Sequence, residues 1–138
     1  MNTPWLVSAV VSATLFACGG GSGDPGGSGV ASSKRVVDLS ASELQDLCAY
    51  FSSLKEQPER EVDCGGGSTT TVGINPEDVQ AGIDECITDA PTNAACPLTV
   101  GQSEACIEAI EGRSDAELCS DGIEIPAECA PVFNQACS

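Results

Sequence analysis

The side chains on which most exported catalysts depend are scarce in this 138-residue chain. It contains no histidine, so Ser/His and Cys/His nucleophilic pairs and the usual zinc-hydrolase ligand sets are absent. None of its nine cysteines lies closer than eight positions to another, which removes Cys-x-x-Cys redox pairs and zinc ribbons. Ser52-Ser53-Leu54-Lys55 has the spacing of a serine nucleophile with a lysine base, and Ser120-Asp121-Gly122 faintly echoes a second motif of that chemistry. The Lys-Thr-Gly strand that completes it is missing. Glu117, Asp121, Gly122 and Glu128 stand at positions 1, 5, 6 and 12 of a calcium loop, but position 3 is Cys119 and Pro126 interrupts the approach to the last ligand. The paired carboxylates Asp84-Glu85 and Asp115/Glu117 are too close in sequence to face each other across one helix surface. The expectation is a protein that is not an enzyme, with no catalytic residue, no cofactor and no metal site.

Charge narrows the partners. Twenty-one acidic residues against five basic ones give a net charge of −16, and Arg113 is the only basic residue after Arg60. Such a field repels nucleic acid and anionic lipid and suits a basic protein partner, or simply a soluble surface.

The elements that must carry these residues read as helices. Ser40 and Glu43 form a capping box, after which Leu44, Leu47, Cys48, Phe51 and Leu54 share one face until Pro58. Asn75-Pro76-Glu77-Asp78 opens a second helix with an Asn cap, Pro at the first position and acids at the positive end of the dipole; Val79, Ile83, Cys86 and Ile87 form its stripe and Pro91 ends it. Thr99 and Gln102 cap a third helix reaching Gly112, Ser114 and Glu117 cap a short fourth near Cys119, and the tail 126–137 has room for one more turn. The stretch 64–73 reads as a loop pinned by Cys64. With no convincing alternation, the expected fold is all-α: a small disulfide-crosslinked domain of three to five short helices over 38–138, behind a flexible Gly/Ser linker over 18–37.

Eight cysteines fall in that domain: Cys48, Cys64, Cys86, Cys96, Cys106, Cys119, Cys129 and Cys137. An even count in a small exported domain with few large apolar side chains implies four disulfides. Spacing leaves 105 connectivities open, and the arrangement that keeps every loop short joins Cys48 to Cys64, Cys86 to Cys96, Cys106 to Cys119 and Cys129 to Cys137.

The ninth cysteine has its own setting. Trp5 to Ala17 is an uncharged apolar run with the length of a secretory h-region and too short to span a membrane; Met1 to Pro4 adds no Lys or Arg. Residues 1–17 are therefore expected to be a signal peptide. Leu15-Phe16-Ala17-Cys18 resembles the lipobox of bacterial lipoproteins, and the resemblance implies lipidation of Cys18 and anchoring to a membrane by two or more acyl chains. In such lipoproteins an Asp after the Cys favours the inner membrane; Gly19 stands here, which points to the outer one. Residues 19–29 hold seven Gly, two Ser, one Asp and one Pro, and a linker extended to Ser33 has an r.m.s. span of about 20 Å.

Leu39-Ser40-Ala41-Ser42-Glu43-Leu44 running to Cys48, Thr99-Val100-Gly101-Gln102-Ser103-Glu104-Ala105-Cys106, and Cys129-Ala130-Pro131 before Cys137 together resemble small cysteine-rich lipoproteins of predatory, social soil bacteria. That family implies a location and a cysteine framework and no assigned activity. The expected function is a non-enzymatic, membrane-anchored lipoprotein presenting an acidic recognition or coat domain. The alternative is an inhibitor or immunity-type module whose crosslinked loop, within 64–72 or 86–96, occupies a basic exported enzyme or toxin.

Overall fold

The three capping boxes read from sequence each start a helix in the computed structural model, which describes residues 27–120, 124–133 and 135–137. At Ser40 the backbone N–H donates to the Glu43 carboxylate at 2.8 Å while the Ser40 hydroxyl accepts from the Glu43 N–H, and α1 runs Ala41–Leu54. Thr99 and Gln102 do the same for α3, Val100–Glu111, and Ser114 and Glu117 for α4, Asp115–Leu118. Both halves of a capping box lie within one turn, so distant packing is not needed to form them. The helix expected after Asn75 begins as a 3-10 turn, Pro76–Asp78, continued by α2, Val79–Asp89; the Asn75 side chain makes no cap bond, and its carbonyl instead accepts from the Asp78 N–H at 2.9 Å.

The all-α expectation is overturned between α1 and α2. Arg60–Gly65 (β1) and Ser68–Val72 (β2) pair as an antiparallel hairpin in the register Arg60 to Val72, Glu61 to Thr71, Val62 to Thr70 and Asp63 to Thr69. The stretch read as a loop contains what a hairpin needs. Thr69, Thr70, Thr71 and Val72 are β-branched and favour the pleated backbone. Gly65, Gly66 and Gly67 all take positive φ (80°, 63° and 84°) and reverse the chain without a Cβ penalty, and the Asp63 carboxylate accepts from the Gly65 N–H at 2.8 Å to close the turn. Val62 is the one buried strand residue. The domain is thus a mixed α/β unit: four α-helices and one two-stranded sheet among the described residues.

Val30, Val36, Leu47, Cys96, Leu98 and Val100 form the core, with Leu39, Phe51 and Val132 packed at its edge. Two of these come from the segment that composition assigns to the linker over 18–37. Residues 27–37 lie on the domain: Val36 N–H donates to Leu98 O, Val100 N–H to Lys34 O and Gly101 N–H to Ser32 O, all at 2.9 Å, and Arg35 bridges Thr99. Approach is close at Gly101, where a Cβ would lie 3.0 Å from that of Ser32. The packed unit therefore includes residues from Gly27 onward, because two valines and a row of backbone bonds suffice to hold a Gly/Ser-rich segment that has no periodic pattern of its own.

All eight domain cysteines are paired: Cys48–Cys86, Cys64–Cys119, Cys96–Cys137 and Cys106–Cys129. None of the short-loop pairs occurs. An amphipathic helix turns its stripe toward the element it packs on, not toward its own following loop. Hence Cys48 on α1 meets Cys86 on the facing α2, Cys106 on α3 meets Cys129 in the 3-10 turn Ala127–Cys129, and β1 is tied to the residue after α4. Four disulfides belong to an oxidising compartment, so the chain is read as exported. No helix among the described residues is long and apolar enough to cross a membrane.

Candidate functional site

Cys18, the segment 1–17 expected to be a signal peptide and residues 19–26 lie outside the described residues, as do Asp121 and Gly122. The sites proposed from spacing are dispersed. Ser52 is buried on the α2 side of α1, near Gly82, whereas Lys55 caps the end of α1 and lines a cleft, so the Ser-x-x-Lys pair does not converge on one reaction centre. Of the calcium-loop residues, the Glu117 carboxylate accepts from the Ser114 N–H (2.8 Å) and hydroxyl (2.6 Å), which hold it below the usual carboxylate range, and Glu128 is exposed on the following 3-10 turn. No group of three or more acidic, Cys or His side chains among the described residues is placed to hold a metal. Asp84 is exposed and accepts from Gln80 one turn before it. Asp115 is taken by Arg60.

What the fold does assemble is a cleft of about 280 Å³ between the end of α1, the hairpin, the end of α3 and α4. Three of the chain's five basic residues, Lys55, Arg60 and Arg113, line it, with Glu56 and Glu111 beside them and Val72, Ile110 and Leu118 as its apolar surface. Local structure accounts for each position. Gly73, at φ 93°, lets the hairpin come back against α1, where a Cβ would lie 2.5 Å from Glu56 O and where the Ile74 N–H donates to that oxygen at 2.8 Å. The Cys64–Cys119 disulfide fixes the hairpin to the end of α4.

Arg60 is the structural cation of this cleft. Its guanidinium donates to Asp115 (2.7 and 3.2 Å) and to Glu56 (2.6 Å), which raises its own pKa and holds the Asp115 carboxyl below its ordinary value. Glu111 is half-buried and shifts the other way: desolvation raises its pKa, against the opposing pull of Lys55. Arg113 donates one bond, at 2.6 Å, to the Glu124 carbonyl. Lys55 makes no hydrogen bond or ion pair with the described residues. Sequence reasoning missed this convergence; its one signal was the isolation of Arg113 in an otherwise wholly acidic half.

A second polar feature fastens the N-terminal segment. Glu104 on α3, only 6% exposed, accepts from the Ser28 N–H at 3.0 Å and the Ser28 hydroxyl at 2.6 Å, both on Oε1. Gly27 next to it lies against Tyr50, whose hydroxyl donates to Glu108 at 2.6 Å. Comparison with protein-family models, with curated proteins and with solved structures returns no match for this chain.

Proposed function

We propose that this is a non-enzymatic lipoprotein, anchored through lipid on Cys18 to a membrane, the outer one where the host has two, and presenting a rigid acidic domain as a recognition or coat element. One observation carries the reading: the eight cysteines of the domain are all paired with one another, so Cys18, in the sequence Leu15-Phe16-Ala17-Cys18, is the odd one out. An exported chain has few uses for an unpaired cysteine at the end of an apolar run, and acylation is the one this context resembles. Two acyl chains give stable anchoring. With Gly27, nine positions after Cys18, already on the domain, the domain would be held within about 30 Å of the lipidated residue.

The test is intact mass of the protein from host membranes, before and after reduction and alkylation. An N-terminus at Cys18 carrying acyl mass, with eight thiols alkylated only after reduction, is the expected result. An unlipidated chain, or a ninth thiol that reacts, overturns it.

The inhibitor or immunity-type alternative draws on the hairpin. Glu59, Glu61 and Asp63 are exposed there, the turn 65–67 is exposed, and the Cys64–Cys119 bridge stiffens its base. The loop 86–96 lacks this support, since Cys86 and Cys96 are not partners. An exported basic enzyme whose activity falls on adding the domain, with strong salt dependence and loss of the effect on Glu61→Lys, would favour this alternative.

A further inference from the structure

We infer that the crevice between α1 and the C-terminal end of α2 is a binding site for a small organic ammonium ion that carries a short apolar tail. The inference does not depend on the lipid anchor; it stands on a cavity, one carboxylate and one helix end. The cavity measures about 210 Å³ and runs from the surface into the core. Leu44 and Phe51 of α1 are half-buried at its walls, Val36, Leu47 and Leu98 lie buried behind them, and the Cys48–Cys86 disulfide that joins α1 to α2 borders it. Protein interiors hold few voids larger than a water molecule, so a space of this size in so small a domain departs from ordinary packing. An apolar cavity of about 150 Å³ admits a molecule the size of benzene, so this one takes a hydrocarbon group of about six carbons.

The rim selects the head group. Among the described residues that line the cavity, Asp89 alone is charged. It is exposed, and no hydrogen bond or ion pair with the described residues engages its carboxylate. The cations next to Val36 in sequence are matched by carboxylates of their own: Lys34 donates to both Glu43 oxygens at 2.7 Å, and Arg35 donates to both Asp38 oxygens and to Ala94 O. Asp89 therefore leaves the site one negative charge in excess. It also ends α2, where the helix dipole is negative and a carboxylate is unfavourable. The chain leaves the helical conformation at Ala90 (φ −59°, ψ 139°) with no cap bond, and the last turn of α2 holds no basic residue. A bound ammonium ion would relieve both, its N–H groups meeting Asp89 and the terminal carbonyls while the tail enters the cavity. A carboxylate head would be repelled by the same groups, and a neutral molecule would gain from its tail alone.

The test is titration of the disulfide-intact chain with hexylammonium, followed by amide NMR shifts, with hexanol, hexanoate and methylammonium as comparison probes. Methylammonium, which has the charge without the tail, separates the site from the general attraction of a chain of net charge −16. Saturable hexylammonium binding with shifts centred on Leu44, Phe51, Asp89 and Ala90 is expected, tighter than hexanol and far tighter than hexanoate or methylammonium. Asp89→Asn should weaken hexylammonium by about threefold to tenfold, the scale of one partly exposed charge contact at a helix end, and leave hexanol unchanged. Because it removes no internal bond and takes a charge off the negative end of α2, Asp89→Asn should not lower the urea midpoint, which establishes that the variant is folded. Ala90→Leu, which sets a larger side chain at the cavity wall, should weaken hexylammonium and hexanol alike. Absence of saturable hexylammonium binding, hexanoate or methylammonium binding as tightly, or either variant holding hexylammonium as tightly as the unchanged chain would overturn the assignment.

Discussion

Replacing Glu104 tests whether residues 27–31 belong to the folded domain or merely rest against it. Both bonds from Ser28 end on the same carboxylate oxygen, 76 positions away in sequence and largely out of solvent. Hydrogen bonds to a charged group contribute about 1.5–3 kcal/mol each, so the pair is worth roughly 3–6 kcal/mol gross. Two effects reduce the measured loss in Glu104→Ala. Removing the carboxylate also removes the cost of keeping it partly desolvated, and Ser28 can recover water by letting the segment peel away. Peeling forfeits the burial of Val30, about 2 kcal/mol, so the net destabilisation should be about 3 kcal/mol. Glu104→Gln separates acceptor from charge. Its amide oxygen can occupy the same position and accept both bonds as neutral ones, so it should cost about half as much. Urea unfolding gives the stabilities, and hydrogen exchange at the Gly101 amide, bonded to Ser32 O, reports the segment directly. If Glu104→Ala costs less than about 0.5 kcal/mol, the scale of an ordinary surface substitution, and leaves Gly101 protection unchanged, the segment is not part of the cooperative unit.

Three further outcomes follow from other sites. The Tyr50 hydroxyl is pushed up to about 12 by its bond to Glu108; the stabilisation is present below the ordinary tyrosine pKa near 10 and is lost as pH rises through 12. Because the chain has one tyrosine, tyrosinate absorbance reads it directly, and Glu108→Gln should lower the midpoint. The Glu43 carboxyl is held down at about 2, first by Lys34 and then by the Ser40 backbone and hydroxyl, so its contribution is present above the ordinary Glu value and lost as pH falls through 2; carboxyl-carbon NMR of Lys34→Met should show the pKa rise. Gly73→Ala should cost at least about 2 kcal/mol in urea unfolding, since it combines a positive φ with a Cβ set against Glu56 O.

What was legible in the sequence was what a few neighbouring residues decide. Ser40 with Glu43, Thr99 with Gln102 and Ser114 with Glu117 announce helix starts because donor and acceptor sit three positions apart. The hairpin was missed because its strands are short and bury one side chain, Val62, so Glu61-Val62-Asp63-Cys64 offers too little alternation to outweigh the Gly and Thr around it. Disulfide partners were out of reach for a different reason: Cys64 and Cys119 are 55 residues apart, and their meeting depends on where three helices and a hairpin dock. The cleft is the same kind of object. Lys55, Arg60 and Arg113 look like isolated surface charges until the end of α3 is laid beside the end of α1.

The pairing also decides how the molecule meets proteases. The loops 48–86, 64–119 and 96–137 overlap in succession, so at least one disulfide spans every peptide bond from Cys48 to Cys137. A single cut anywhere in that interval adds the mass of one water and liberates no fragment until the bridges are reduced, which a nonreducing mass spectrum would display. Among the described residues N-terminal to Cys48 there is no such bridge. A cut between Gly27 and Cys48 would therefore leave the residues before it with no covalent link to the crosslinked body, which would itself stay in one piece.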